Sequence, residues 1–472
     1  MTRVQIIFLL FTQYCYINTY VLLNKNDYSE CVLDPDLLNE IASYKNVTDT
    51  IMSEIINNTW GKTMYDEYTN FIDKFGARPA GTIVLENAID HMINLTKNYG
   101  LNTVTTEKVL TPHLVRGSEA AVMIQPRLKR IAILGLVPSV TTPANGITAE
   151  VIVVRSFDEL NQIDEERIKG KIVVFDAHFT TYGETVAYRV AGASRASEKG
   201  AVASLIRSVT PYSLYTLHTG SQSYGKNVTK IPTAAITHED ADLMRRLQNE
   251  GKTIVLTIIM HSTINFKISR NTLVDLVGRV NRDKHVIVSG HIDSWDVGQG
   301  AMDDGGGMFI SWFAPVIINK LNLKPRRTLR AILWTAEEPG LVGAFAYLKR
   351  HMDELDDINF IMESDEGTFE PLGLDVAGSK NAICIIAEIL KLFSPIDKIK
   401  VSNSVGSDIS IFNENGVPGA GLLNKNDKYF WFHHSDADTM NVQNKNDVLQ
   451  CAAFWAAFSY VVSDLSVDIP RY

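Results

Sequence analysis

KHVIVSGHIDSWDVGQGAMDDGGG, residues 284–307, decides the fold. It opens on an apolar, β-branched run, His285 to Ser289, that reads as a buried strand. The strand ends at Gly290, and His291 and Asp293 follow at once. Asp303-Asp304 comes ten residues after Asp293, ahead of three glycines and an apolar helix-like segment. In open α/β sheets ligands bind just beyond the carboxyl ends of the strands. A His, carboxylates and tight glycine turns placed there read as half of a metal site. A polar, glycine-rich surface loop is the plain alternative.

The same unit recurs downstream. A strand over 329–335 ends in Ala336-Glu337-Glu338, and one over 358–363 ends in Ser364-Asp365. An apolar run at 417–423 leads through a polar loop to FWFHHSDADTM (430–440), which holds His433 and His434. Helices are expected near 306–320, 341–351, 381–393 and 447–465. The last carries Gln450, Ser459 and Ser463 and reads as a core helix rather than a membrane span. A doubly wound sheet gathers such strand ends at one edge.

Five ligand-type residues result: His291, Asp303, Glu338, Asp365 and His434. They are too many for one zinc with an open position and suit two zinc ions sharing a carboxylate. Asp303 is the best bridge, because the glycines around it let the backbone turn close to the ions. Two such ions sit roughly 3.5–4 Å apart with a hydroxide between them. Asp293 is placed to accept the ring N–H of His291 and fix its tautomer. From an extended segment Glu337 cannot point the same way as Glu338, which leaves it to face the water as general base. Singly, each residue has a bland reading: a solvated Glu-Glu loop, an N-cap at Asp365, a turn residue at Asp293. The ordered set argues for the metal.

With 472 residues, 45% hydrophobic and 21% charged, the chain has room for two or three globular domains. A net charge of −9 and the lack of a dense Lys/Arg run argue against a nucleic-acid partner. Arg3 and the apolar run from Val4 to Phe11 read as a signal peptide over about residues 1–20. Sequons at Asn46, Asn57, Asn94 and Asn227 fit a secretory route. Cys15 leaves with the signal, and Cys31, Cys384 and Cys451 cannot all pair. Cys384 and Cys451 lie in apolar helix-like segments and read as small buried hydrophobes, so no disulfide framework is expected.

Residues 21–45 read as a propeptide or an N-terminal helical segment. Helical spacing continues to about residue 100, broken at GARPAGT (76–82). From about Thr103 the chain turns strand-rich, with helices near 184–199 and 238–250. This reads as a smaller unit of about 150 residues with no catalytic cluster of its own.

The strings at 290–307, LWTAEE (333–338), MESDEGTF (362–369), GVPGAGLL (416–423) and YFWFHHSDADTM (429–440) resemble the co-catalytic zinc exopeptidases. That family includes leucyl aminopeptidases, glutamate carboxypeptidase II and the transferrin receptor. The resemblance implies an α/β fold, a mixed sheet flanked by helices on both faces. A protease-associated domain (118–265) is inserted between catalytic parts 46–117 and 266–472. One zinc takes His291, Asp303 and Asp365, and the other takes Asp303, Glu338 and His434. Glu337 is the base, Asp293 the partner of His291, and the Asp303–Asp304 peptide is cis. His433 stands where relatives carry a Tyr that stabilises the oxyanion, and Pro339 where they carry Gln or Gly.

The implied activity is hydrolysis of dipeptides or short peptides with free termini. A strict aminopeptidase is the alternative, and a receptor-like binding protein would require missing ligands. Asp296, Asp304 and Asp408 are candidates to read a substrate ammonium. Arg116, or an arginine of a dimer partner, is the candidate for a carboxylate. The resemblance further implies a secreted or lysosomal glycoprotein, a homodimer, and no stable membrane span.

Overall fold

The computed structural model describes residues 31–471. The signal-peptide reading of 1–20, Cys15 and the first part of the propeptide reading lie outside the described residues. The chain divides into two compact units. The larger holds residues 31–112, Phe266–Tyr429 and 438–471, and the smaller holds His113–Asn265 and the short segment Phe430–Ala437.

The larger unit is built on a mixed eight-stranded sheet. Its centre is β1 (Asn281–His291), flanked by β2 (Arg327–Trp334) and β3 (Ile358–Glu363), with β4 (Gly419–Asn424) beyond β3. These four run parallel, with His291 level with Trp334 and Ser289 level with Glu363. Antiparallel strands Thr263–Leu276 and Pro371–Ala377 continue the sheet on either side. The mixed α/β fold with helices on both faces is the one expected.

Alternation along β1 explains the layers. Val286, Ile287 and Val288 are all fully buried, as parallel strands covered on both faces require. Val286 and Val288 pack with Phe309, Trp312 and Phe313 of α1 (Gly306–Lys320) and with Phe454 and Trp455 of α2 (Lys445–Asp464). Ile287 points the other way, to Ile332, Trp334, Tyr347 and Phe412. Helix α2 is buried continuously from Cys451 to Asp464, with apolar residues on every side. Its polar groups are satisfied locally: Ser459 and Ser463 donate to the carbonyls of Ala456 and Tyr460 at 3.1 and 2.9 Å. Trp455 Nε1 donates to Ser311 Oγ (3.0 Å), which donates to the Ser289 carbonyl (2.8 Å), tying both helices to the strand that carries His291. Among the described residues no helix is long and apolar enough to cross a membrane.

The smaller unit has its own eight-stranded sheet, in which Ile147–Val154, Ile172–Phe175, Ala203–Arg207 and Thr233–Ile236 run parallel. Helix Tyr182–Glu198 ends before Gly200 (φ +80°), and Thr237 caps helix His238–Asn249 by accepting from the Asp240 N–H. The inclusion of Phe430–Ala437 in this unit was not expected from the sequence.

The N-terminal segment forms helices Pro35–Ser43 and Lys45–Ile56, whose Ile41, Ile51 and Ile55 enter the main core. Tyr44 Oη donates to the Asp464 carbonyl (2.9 Å). The cysteine expectation needs correction. Cys384 is joined to Cys31 by a disulfide across 353 residues, and among the described residues Cys451 stays a buried thiol. Helix Pro35–Ser43 packs beside helix Lys380–Leu390, which brings the two together. A disulfide points to an oxidising compartment. Cys384→Ser should lower unfolding stability by about 2–4 kcal/mol. Denaturant midpoints measured without reductant check this, and an unchanged midpoint would count against the crosslink.

Candidate active site

His291 closes β1, and its ring sits between two carboxylates. Nε2 lies 3.1 Å from Asp303 Oδ1 and 3.1 Å from Asp365 Oδ1. One donor atom from each of the three lies within 4.8 Å of the others, a spacing that one ion can occupy. A histidine with carboxylates is a donor set suited to zinc.

The loop that presents Asp303 is held from two sides. Asp438 accepts the N–H groups of Ala301 (3.1 Å), Met302 (2.7 Å) and Asp303 (3.2 Å). Arg78, fully buried, donates to four carbonyls: Gly76, Ile292 and Gly300 at 2.8 Å and Gln299 at 2.7 Å. The Asp303–Asp304 peptide is cis. Asp304 turns inward and accepts the N–H groups of His291 and Gly307, each at 3.0 Å. Two glycines make room for this. A Cβ at Gly290 would lie 2.4 Å from Asp304 Oδ2, and one at Gly307 would lie 1.9 Å from the Ser364 carbonyl.

Past β2 the backbone turns through Ala336 at φ +57°, a left-handed conformation that costs a β-carbon-bearing residue about 1–2 kcal/mol. Asp293 holds it there. Its carboxylate accepts the N–H of Glu337 (3.0 Å) and, more loosely, that of Glu338 (3.4 Å). This changes the role expected for Asp293. His291 Nδ1 lies 2.9 Å from the Asp293 carbonyl and 3.8 Å from its carboxylate. The backbone oxygen therefore fixes the tautomer, because the carboxylate is already committed to the Glu337-Glu338 turn.

Burial disfavours a charged His291, but Asp365 and then Asp303 outweigh it and hold the imidazole well above its usual range. Burial raises Asp303, and nearby Asp365 adds to the shift against the opposing His291. Glu337 and Glu338 are pushed well above the usual carboxylate range, first by desolvation, then by Asp365 for Glu337 and by Asp303 for Glu338, both against His291. These upward shifts share one cause beyond burial, the crowding of negative charge around His291, which a cation would offset. Binding of a cation favours the deprotonated forms of such ligands.

His433 and His434 lie on the segment belonging to the smaller unit. His434 has φ +60°. Its carbonyl accepts the Thr219 N–H at 3.0 Å, and its Nδ1 lies 3.2 Å from the Thr219 carbonyl. Burial, then the adjacent His433 ring and the Arg189 guanidinium, push His434 well below its usual range. The ring is neutral, the form that ligates metals. The His433 ring stacks on it at 3.5 Å and meets Tyr182 edge-on at 5.1 Å.

The substrate-reading candidates separate. Asp304 is fully buried with both oxygens engaged by backbone, which removes it from that set. Asp408 is also fully buried, on a loop whose Asp408 and Ile409 N–H groups bond Glu363. Ser407, beside it, donates to Asp365 Oδ2 and so orients that carboxylate. Arg116 is engaged with Glu119 Oε1 (2.9 Å) and the Gly135 carbonyl (3.0 Å) in the smaller unit. Asp296 is half-buried. Arg78, Asp438, Ser407 and Thr219 escaped the sequence reading. The only trace of Arg78 was the helix break at GARPAGT.

Residues 271–459 match peptidase family M28. The chain is 47% identical to carboxypeptidase Q of Xenopus laevis over 434 residues, 92% of each chain. Among solved structures it resembles an M28 peptidase precursor from Shewanella amazonensis, with a TM-score of 0.87 at 30% identity over 92% of this chain and 99% of that one. It shares its fold with a zinc aminopeptidase of Bacillus subtilis, with a TM-score of 0.66 at 19% identity over 87% and 98%.

Arg78→Met would strand two buried and two partly buried carbonyls, so unfolding stability should fall by about 3 kcal/mol. Arg78→Lys should recover little of it, because an ammonium cannot reproduce the guanidinium fork. Denaturant unfolding of both variants checks this, and a lysine variant as stable as wild type would contradict it.

Proposed function

The chain belongs to the carboxypeptidase Q family of M28 metallo-exopeptidases, and on that premise we propose that it uses two zinc ions to hydrolyse dipeptides or short peptides with free termini. The observation that carries this reading is His291 set between Asp303 and Asp365, with the Glu337-Glu338 turn locked by Asp293. His291, Asp303 and Asp365 are the proposed ligands of one ion. Asp303, Glu338 and His434 are the proposed ligands of the other, with His434 assigned on sequence resemblance.

When bound, zinc polarises a scissile carbonyl and lowers the pKa of a water toward neutrality. Glu337 takes the proton of the attacking water and passes it to the leaving amine. Desolvation, and then Asp365, raise its carboxyl toward the range a base needs near neutral pH. His433 is proposed to donate to the developing oxyanion, and Asp296 to read a substrate ammonium. Secretion or lysosomal delivery, glycosylation and a homodimer complete the proposal. The disulfide supports the secretory route, and the exposure of Asn46, Asn57, Asn94 and Asn227 supports glycosylation.

Glu337→Gln should keep its zinc and lose activity on unblocked dipeptides by about 10²–10⁴-fold. Metal analysis beside the kinetics tests this, and a variant that retains wild-type turnover would refute the assignment. Turnover of N-acetylated dipeptides alongside would separate a carboxypeptidase from a strict aminopeptidase.

Ion-free protein should also show a distinctive pH dependence. Burial raises the Glu363 carboxyl to about 8 and that of Asp438 to about 7. The folded state therefore favours their protonated forms. Their contribution to stability is complete below the ordinary carboxylate range and is lost as pH rises through about 7 to 8. Chelator-treated protein should unfold at lower denaturant at pH 8 than at pH 5, and zinc should flatten that slope. The opposite slope in the ion-free protein would contradict the electrostatics described above.

A further inference from the structure

Few residues of the chain are held as His434 is. It carries a β-carbon yet sits at φ +60°, a conformation that persists only where surroundings over-determine it. One residue of the smaller unit grips it twice. The Thr219 N–H donates to the His434 carbonyl at 3.0 Å, and the Thr219 carbonyl faces His434 Nδ1 at 3.2 Å. A carbonyl only accepts, so Nδ1 carries the ring proton and Nε2 keeps its lone pair.

The neighbouring residue repeats the arrangement. His218 is buried, and its Nδ1 donates to the His433 carbonyl at 2.6 Å. The loop itself is clamped. Arg189 Nε donates to the Ser221 carbonyl (3.2 Å), and its Nη1 reaches the Thr219 carbonyl at a long 3.5 Å. Gly220 (φ +149°) admits the guanidinium, since a Cβ there would lie 2.4 Å from Arg189 Cζ. The other side is riveted to the end of strand Ile133–Gly135: Thr219 Oγ1 donates to the Gly135 carbonyl (3.0 Å) and the Val137 N–H to the Gly220 carbonyl (3.0 Å).

We infer that residues 218–221 of the inserted unit, braced by Arg189, are the positioning device for His434, fixing its backbone and presenting Nε2 as the ligand atom. Residues 218–221 thus set which ring nitrogen His434 offers to an ion. Partners that orient a ligating histidine typically change metal affinity about 10–100-fold when removed. The inference rests on the proposal that His434 is a ligand, and the test separates the two.

The experiment is stepwise zinc binding to the full chain by chelator competition, with thermal unfolding of each metal-free variant. His434→Ala should bind one ion fewer than wild type. His218→Ala should weaken one of two ions by about 10–100-fold and leave the other unchanged. His218→Asn should recover most of that loss, because its side-chain amide can donate from near the Nδ1 position. If His218→Ala binds both ions as wild type does while His434→Ala loses one, the positioning role falls and the ligand assignment stands. If His218→Ala weakens both ions equally, with a lowered melting temperature that Asn does not restore, the residue is structural and the inference is overturned. If His434→Ala keeps both ions, the ligand assignment fails and the inference fails with it.

Discussion

Negative charge packed into an apolar interior is the constraint around which the larger unit is arranged. Asp293, Asp303, Asp304, Glu338, Glu363, Asp408 and Asp438 are all buried in it, and the nearest compensating groups are His291 and the fully buried Arg78. Burying an unpaired carboxylate is costly enough that it normally gives up its charge. The fold divides the burden. Asp293, Asp304, Glu363 and Asp438 take up backbone N–H groups and act as fasteners for the loops around them. Asp303 and Asp365 turn instead to the His291 ring. Fasteners and ligand candidates alternate along one strand-end segment, so the same chemistry that builds the loops also builds the site.

This arrangement explains why the fold was more legible than its fine structure. The apolar runs of β1, β2 and β3 and the polar residues closing them are local signals, and the ligand candidates were visible as residues that follow strands. The jobs of Asp293, Asp304 and Arg78 are not local. Arg78 reaches carbonyls more than two hundred positions away, and no periodicity encodes that. Asp304 read as a candidate for a substrate ammonium, because nothing local in the sequence shows that its carboxylate folds back onto the N–H groups of His291 and Gly307. Cys384 looked like a core residue, which it is, but its partner lies 353 residues upstream.

The segment Phe430–Ala437 teaches a related lesson. In sequence it follows a polar loop between β4 and α2, both of the larger unit. In the fold its contacts belong with the inserted unit, through Thr219 and His218 and through stacking of Phe430 on Tyr182 and Trp431 on Tyr212. An insertion that looks like a catalytically silent addition therefore holds a histidine central to the proposed chemistry.

The packing of the N-terminal helices against α2 also has a consequence in time. Ile51 and Ile55 share a core with a helix that begins at Lys445. On a ribosome adding about 5–20 residues per second, the apolar face of those first helices waits roughly 20–80 seconds for its partner to be made. Throughout that interval helix Thr59–Phe75 packs on part of that face, and the part that meets α2 has no partner in the chain already made. Completion of that core therefore waits on the synthesis of α2.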